Sequence, residues 1–181
     1  MPFYNPAQPD ARPWGEAFAM QSLGQITIDP DFLEMGLHAS PFPRDIGAGY
    51  YGSEIDYGFL TLDRALGDRT DTMSLDDTFT QGNLYQTGYP HKHGDFLTQS
   101  FAYASESTVY NLIDIREFES WHGDSGGPLW HWGADGKAYV VGIVSSGQPQ
   151  APGKGLAAFD IDPFYDRFLQ LIRGNDHHIV A

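Results

Sequence analysis

The segment around Ser125 contains the residue types in this chain that are best suited to chemistry. Residues 119–132 read ESWHGDSGGPLWHW, so Ser125 follows an aspartate and lies among three glycines. A serine hydroxyl becomes a strong nucleophile only when a neighbouring base accepts its proton, and a third group usually orients that base. Ser125 is therefore a candidate nucleophile whose base and orienting group must come from elsewhere.

One known arrangement of a serine between glycines does not fit this chain. GDSGG formally matches G-x-S-x-G, the nucleophile turn of α/β-hydrolases, in which a helix follows the serine at once. Here Gly126, Gly127 and Pro128 follow, and none of them would propagate a helix. The alternating strand–helix pattern of that fold is also missing, so this interpretation is rejected.

The longer stretch GDSGGPLW resembles the nucleophile segment of trypsin-like serine proteases, which have the chymotrypsin fold. The resemblance implies that Ser125 is the nucleophile and that the amides of Gly123 and Ser125 form the oxyanion hole. It also implies that Asp124 turns inward towards a buried cation and so stabilises the loop. EIDYGFLTL resembles the family's aspartate segment, which makes Asp56 the carboxylate that orients the catalytic histidine.

Other segments are similar to further parts of the same family. VVGIVSSG resembles the strand beside the substrate cleft, where Ser145, Ser146 and Gly147 would pair with the substrate backbone. GKGLAAFDI and the helix pattern after it resemble the family's last strand and C-terminal helix, with Gly155 on the pocket wall. QTGYP resembles the start of the second barrel. In its lack of cysteine the chain resembles the glutamyl-endopeptidase (V8-like) branch of the family.

Substrate preference in this family depends on the residue six positions before the serine. That residue is Glu119, with Ser120 beside it. A carboxylate at the base of an open pocket, between Gly147 and Gly155, would favour a substrate Arg or Lys. The V8-like branch cleaves after Glu and usually has a histidine where this chain has Val144. The prediction is therefore cleavage after Arg or Lys, with cleavage after Glu as the alternative.

The histidine that the resemblance requires is missing from its expected place. In family order it lies roughly forty residues before the aspartate, and that region of this chain reads ARPWGE. Only His38 precedes Asp56, in a stretch rich in Gly and Pro. The remaining histidines, none of which is expected to replace the base, are His91, His93, His122, His131, His177 and His178.

Two explanations of the missing histidine stay open. Either the chain is truncated and the histidine preceded Met1, or it is a degenerate homologue that binds peptides without cleaving them. Truncation is favoured because Asp56, Gly123 and Ser125 are all present. The functions to distinguish are thus a serine endopeptidase, a catalytically inactive peptide-binding or protein-binding module, and an esterase that uses the same acyl-enzyme chemistry.

The spacing of apolar and turn residues predicts the architecture. Six regularly spaced segments after residue 82 predict short strands, which suffice to close an antiparallel barrel. DPFYDRFLQLIRG then predicts a helix with Asp162 as N-cap, Pro163 in its first turn and Gly174 as its stop. Before residue 63, QITI and DYGFLTLD read as strands. The six predicted strands are 83–89, 96–104, 107–115, 128–132, 138–146 and 155–161.

Together with the resemblance, this pattern predicts an all-β protein. Its fold would be the double six-stranded Greek-key barrel of the chymotrypsin fold with a C-terminal helix, and the first barrel would be incomplete. The predicted parts are an N-terminal loop segment (1–24), a partial first barrel and linker (25–82), a second barrel with the helix (83–174) and a tail (175–181).

The composition limits the classes of partner that the chain is expected to bind. Lys and Arg number 10 against 24 Asp and Glu, and the resulting net charge of −14 would repel nucleic acid and an anionic membrane. No apolar run approaches the roughly 20 residues that cross a bilayer, and no signal peptide is visible. The expected partners are a peptide or protein substrate and protein inhibitors, with no metal or cofactor. The resemblance implies an extracellular or periplasmic location.

Overall fold

The computed structural model describes residues 23–28, 56–62, 71–94, 96–108, 110–148 and 150–174. Over these residues the protein is mostly β, with a single α-helix near the C-terminal end. The elements are β1 (Leu23–Ile28), β2 (Gly58–Leu62), β3 (Ser74–Leu75), β4 (Gln81–Gly88), β5 (Thr98–Glu106), β6 (Leu112–Asp114), β7 (Pro128–Trp132), β8 (Ala138–Gly147), β9 (Gly155–Asp160) and α1 (Tyr165–Gly174).

Six strands close into an antiparallel barrel, as the sequence predicts. They follow the order β8-β7-β4-β5-β6-β9, and β9 pairs back with β8. Each of the six predicted segments overlaps one of these strands. Inward-facing side chains such as Leu84, Ile113 and Leu129 are fully buried and form the barrel core. The short strand β3 adds to the outside of β8 in parallel orientation.

The predicted strand 107–115 is longer than the observed one. Only Leu112–Asp114 pairs as a strand, with β5 on one side and β9 on the other. Before it the chain turns: the Ser107 amide donates to the Leu112 carbonyl at 2.8 Å, and the Ser107 hydroxyl accepts from the Tyr110 amide at 3.2 Å. The prediction missed this turn because residues 107–111 contain neither Gly nor Pro.

The predicted C-terminal helix is confirmed, but its start differs. Asp162–Phe164 form a 3₁₀ turn whose N-cap position is Ile161, and no side chain caps it. Helix α1 then runs from Tyr165 to Gly174, so Gly174 ends it as predicted. The prediction of Asp162 as N-cap is wrong, because the helix begins one turn later and the Asp162 amide itself donates to the Asp160 carboxylate at 3.2 Å.

An aromatic cluster joins α1 to the segment that carries Asp56. The ring of Tyr57 lies 4.9 Å from the rings of both Phe159 on β9 and Phe168 on α1. Phe164 packs against the same cluster, 5.1 Å from Phe159. Tyr57 and Phe168 are almost fully buried. Because burying one such ring contributes about 2 kcal/mol, this cluster holds the neighbour of Asp56 firmly on the barrel.

Ahead of the barrel, β1 and β2 pair antiparallel, which confirms the two strands predicted there. The predicted N-terminal loop lies outside the described residues except for its last two positions, and so do residues 29–55, 63–70 and the tail 175–181.

The linker between β2 and the barrel is fastened at Asp76. Its carboxylate accepts the Thr78 amide at 2.8 Å and the Thr78 hydroxyl at 2.7 Å, and it lies 2.8 Å from His131 Nε2 on β7. Burial raises the pKa of Asp76, but these hydrogen bonds lower it by more, so its net pKa is below the ordinary value. The carboxylate thus ties the linker to the barrel wall.

The outer face of the barrel carries a row of aromatic side chains, which we call the aromatic row: Phe101, Tyr85, Trp130 and Trp132. Successive ring centroids lie 4.7, 4.7 and 5.2 Å apart across β5, β4 and β7. Trp130 Nε1 donates to the Thr87 hydroxyl at 2.9 Å, which fixes the orientation of its ring.

Candidate active site

Ser125 lies in a loop that is bound on both sides to the barrel. The Gly126 amide donates to the Val144 carbonyl of β8 at 2.8 Å, and the Val144 amide donates back to Gly127 at 2.9 Å. At the other side of the loop the Tyr89 amide donates to the Gly123 carbonyl at 3.3 Å. The chain continues into strand β7 and not into a helix, which agrees with the rejection of the α/β-hydrolase turn.

Two backbone amides in this loop differ from their neighbours. The amides of Asp124, Gly126 and Gly127 donate to backbone carbonyls at 2.8–3.0 Å. Those of Gly123 and Ser125 donate to no carbonyl among the described residues. Paired donors next to a candidate nucleophile are what an oxyanion hole requires. The role that the resemblance implies for Gly123 and Ser125 stays a prediction, and the described part of the chain supplies no carbonyl acceptor for these two amides.

Asp56 contacts strand β8 through the side chain of Ser145. The Ser145 hydroxyl donates to Asp56 Oδ2 at 2.6 Å, although the two residues lie 89 positions apart. Ser145 and Ser125 line one cavity. Ser145 thus contacts Asp56 and also lines the cavity of Ser125, whereas Asp56 is not among the described residues that line this cavity. The sequence interpretation assigned Ser145 to the substrate backbone and missed this side-chain contact.

Replacing Ser145 with alanine is expected to lower the free energy of unfolding by about 2 kcal/mol, because a hydrogen bond to a carboxylate is lost. Ser125→Ala, which removes an exposed hydroxyl from the same cavity, is the matched control and should change stability by less than about 0.5 kcal/mol. Urea denaturation of the three proteins measures the difference. Equal stability of the two variants would contradict the importance of the Asp56 contact.

Asp124 points inward, as the resemblance implies. Its side chain is almost fully buried, and Oδ2 accepts the Trp121 amide at 2.8 Å within the same loop. Burial raises the pKa of Asp124, whereas the Trp121 amide and the nearby His93 partly oppose the rise. Beside it a small cavity of about 60 Å³ is lined in part by Gln86, whose buried Oε1 has no hydrogen-bond partner among the described residues.

The cavity next to Ser125 includes most, but not all, of the predicted substrate-binding residues. Ser120, Ser146 and Gly147 line it together with Ser145. Gly155 does not, because its backbone packs against Ile115 of the barrel core and its amide donates to Phe118 at 3.1 Å.

Glu119 also faces away from the cavity that holds Ser125. Its Oε1 accepts the Trp121 indole N–H at 2.8 Å and lies 3.6 Å from His93 Nε2, beside the small cavity of Asp124. The hydrogen bond from Trp121, followed by the charges of His93 and Lys92, lowers the pKa of Glu119. The carboxylate expected at the pocket floor is thus bound to a neighbouring indole.

Among the described residues no imidazole hydrogen-bonds to the Ser125 hydroxyl. His122 lines the cavity as an exposed side chain, His131 pairs with Asp76, and His91 and His93 belong to an exposed 3₁₀ turn. His38, His177 and His178 lie outside the described residues.

Several cavity residues were missed by sequence reasoning. The most important is Trp121, whose position two residues after Glu119 gave no local sign that its ring would form a wall. The sequence signal that could have indicated it is the pair Pro152-Gly153 in the loop between β8 and β9. Because Gly153 has no side chain, this loop can approach an indole closely. The other missed residues are Gln148, Pro152, Gly153 and Lys154.

Compared with known proteins, the chain matches no family model and no curated protein. No group of three or more metal-ligating side chains gathers within the described residues. In the same part of the chain, no helix has the length and apolar character to cross a membrane.

Proposed function

We propose that this protein is a trypsin-like serine endopeptidase that hydrolyses peptide bonds through an acyl-enzyme on Ser125. The observation that supports the proposal most is the hydrogen bond between Ser145 and Asp56. It joins the candidate carboxylate to a residue that lines the cavity of Ser125, and the amides of Gly123 and Ser125 donate to no carbonyl among the described residues.

Each residue has a defined role in the proposed reaction. The Ser125 oxygen attacks the substrate carbonyl carbon and gives its proton to a histidine base. The amides of Gly123 and Ser125 donate to the carbonyl oxygen as it becomes negative. Asp56 orients the base and stabilises its charged form. The base returns the proton to the leaving amine, and water then hydrolyses the ester on Ser125.

The fold proposed with this function is the double barrel of the chymotrypsin family. The closed barrel of β4–β9 would be its second half, and the β1–β2 pair would belong to an incomplete first half. Secretion to an extracellular or periplasmic location is part of the same proposal, and so is inhibition by protein inhibitors.

Labelling with a fluorophosphonate probe tests the proposal. We expect the probe to modify Ser125, located by mass spectrometry, and the Ser125→Ala variant to stay unlabelled. Because none of the described imidazoles bonds to Ser125, free imidazole is added in a parallel reaction. If the base is missing, added imidazole should accelerate labelling at least about tenfold. If residues outside the described ranges supply the base, labelling is fast without it.

A second candidate function is a protease-shaped module that binds peptides without cleaving them. It is favoured by the lack of a hydrogen bond between Ser125 and any described imidazole. Labelling that does not depend on Ser125, with and without imidazole, would contradict the peptidase and favour this module. The esterase alternative would label equally and would be recognised by cleavage of esters but not of peptides.

A further inference from the structure

The cavity next to Ser125 has the size of a side-chain pocket. Its volume is about 420 Å³, within the range typical of binding pockets for small groups. It lies between the Ser125 loop and the loop that joins β8 to β9. In the proposed peptidase, this cavity would receive the substrate side chain that precedes the cleaved bond.

One wall of the cavity is the indole of Trp121, which three contacts hold in place. Its N–H donates to Glu119 Oε1 at 2.8 Å. Lys92 Nζ lies 4.2 Å from its ring centroid, a cation–π contact. On the opposite loop the backbone of Gly153 approaches so closely that a methyl group there would overlap the ring. The wall is therefore a preorganised aromatic surface.

The described residues that line the rest of the cavity carry no charged partner for a basic side chain. Val144 lines the cavity, but its side chain is almost fully buried as part of the barrel core. No Asp or Glu is found among the described residues that line the cavity. Glu119, the predicted partner of Arg or Lys, lines the neighbouring small cavity instead. A buried Arg or Lys side chain would thus lose its hydration without gaining a carboxylate, which is strongly unfavourable.

An acidic side chain is not favoured either. Lys154 is a lining residue, but its Nζ donates to the carbonyl of Glu117 at 3.3 Å, towards a separate cavity. The side chain of Lys154 is exposed to solvent, where screening weakens the attraction of a carboxylate.

We propose that this cavity selects substrates with a large apolar, preferably aromatic, residue before the cleaved bond. The inference rests on the proposed function in one respect: it assumes that the bond after the bound residue is cleaved. The preference for an apolar residue is a property of the cavity itself. An aromatic ring would contact the Trp121 indole at its edge, because Lys92 and the Gly153 backbone already lie against the ring, and burial of apolar surface would supply the affinity.

Binding of labelled peptides tests the inference without requiring cleavage. Fluorescein-tagged tetrapeptides that share three residues and end in Phe, Leu, Ala, Arg or Glu are titrated with the full chain, and fluorescence polarisation gives each Kd. The Phe peptide should bind at least about tenfold more tightly than the Arg or Ala peptide. Tightest binding of the Arg or Glu peptide, or equal binding of all five, would overturn the inference.

Three variants locate the preference in the cavity. Trp121→Ala should weaken Phe binding about tenfold and leave the Ala peptide unchanged. If this variant does not fold, Trp121→Phe, which keeps an aromatic wall, should retain the preference for Phe. Glu119→Gln is the matched control: it removes the charge but keeps an acceptor for the indole, and the Phe-to-Arg ratio should stay within about twofold. A loss of Arg binding in Glu119→Gln would restore Glu119 as the specificity residue and overturn the inference.

Failure of the inference and failure of the proposed function give different results. Labelling of Ser125 combined with a preference for Arg rejects the aromatic pocket and leaves the peptidase in place. A preference for Phe without any Ser125-dependent labelling rejects the peptidase and leaves an aromatic-selective binding cavity.

Discussion

Replacing Gly123 with alanine is expected to destabilise the protein by about 3 kcal/mol and to abolish Ser125-dependent labelling. Gly123 has a φ of 104°, a conformation that is strained for any residue with a side chain. A methyl group at this position would also overlap the Tyr89 carbonyl oxygen and lie 3.1 Å from its carbon. Because these are backbone atoms of the barrel, the loop must move, and the amides of Gly123 and Ser125 move with it.

Gly126→Ala separates the overlap from the backbone strain. Gly126 also has a positive φ, 80°, but a methyl group there would meet no atom of the described residues within 4 Å. We expect it to cost only about 1 kcal/mol. Urea denaturation measures both variants, and the fluorophosphonate probe reports the loop. A Gly123→Ala variant as stable as Gly126→Ala would show that Tyr89 does not restrict the loop.

Replacing Asp160 with asparagine is expected to stabilise the protein by roughly 3 kcal/mol at pH 8 and to have little effect at pH 4. Burial, followed by the nearby carboxylates of Glu106 and Asp162, raises the pKa of Asp160 to about 7. Between about pH 4 and about pH 7 the unfolded chain releases a proton that the native protein keeps. The stability contributed by the neutral carboxyl group is therefore lost as the pH rises through this range.

Asparagine is neutral at every pH, and its side-chain oxygen can still accept the Asp162 amide, so it should remove that loss. Thermal melts of both proteins from pH 4 to pH 8 measure the effect as a gap in Tm that widens with pH. Asp162→Asn is the control: its side chain is exposed, and it should give the same sign with less than about 1 kcal/mol. A gap that is the same at all pH values would contradict an ionisable group with a raised pKa.

The barrel strands could be predicted because their signals are local. Alternating apolar residues and Gly- or Pro-containing turns mark the segments of β7 and β8 closely. The start of α1 was predicted one turn too early. The Asp162 amide donates to the Asp160 carboxylate at the end of β9, and this contact depends on how β9 leads into the helix. The pairings of β4 with β7 and of β6 with β9 are long-range, and the segment pattern suggests them only through the number of strands.

The candidate site was predicted in part for similar reasons. The residue types around Ser125 and the short segment at Asp56 are visible in the sequence, whereas their assembly through Ser145 depends on how β8 packs. The direction of the Glu119 side chain could not be predicted, because the Trp121 N–H, two residues away, binds it on the far side of the indole. A residue's position in a motif does not determine which of two adjacent cavities its side chain faces.

The aromatic row supplies the barrel with an intrinsic optical signal. Trp130 and Trp132 lie 5.2 Å apart with their planes at 81°, close enough for their electronic transitions to couple. Such coupling gives paired bands of opposite sign in circular dichroism, which vanish when the rings separate. Loss of these bands would report loss of the extended conformation of β7, which carries both rings, without an added chromophore and independently of any event at Ser125.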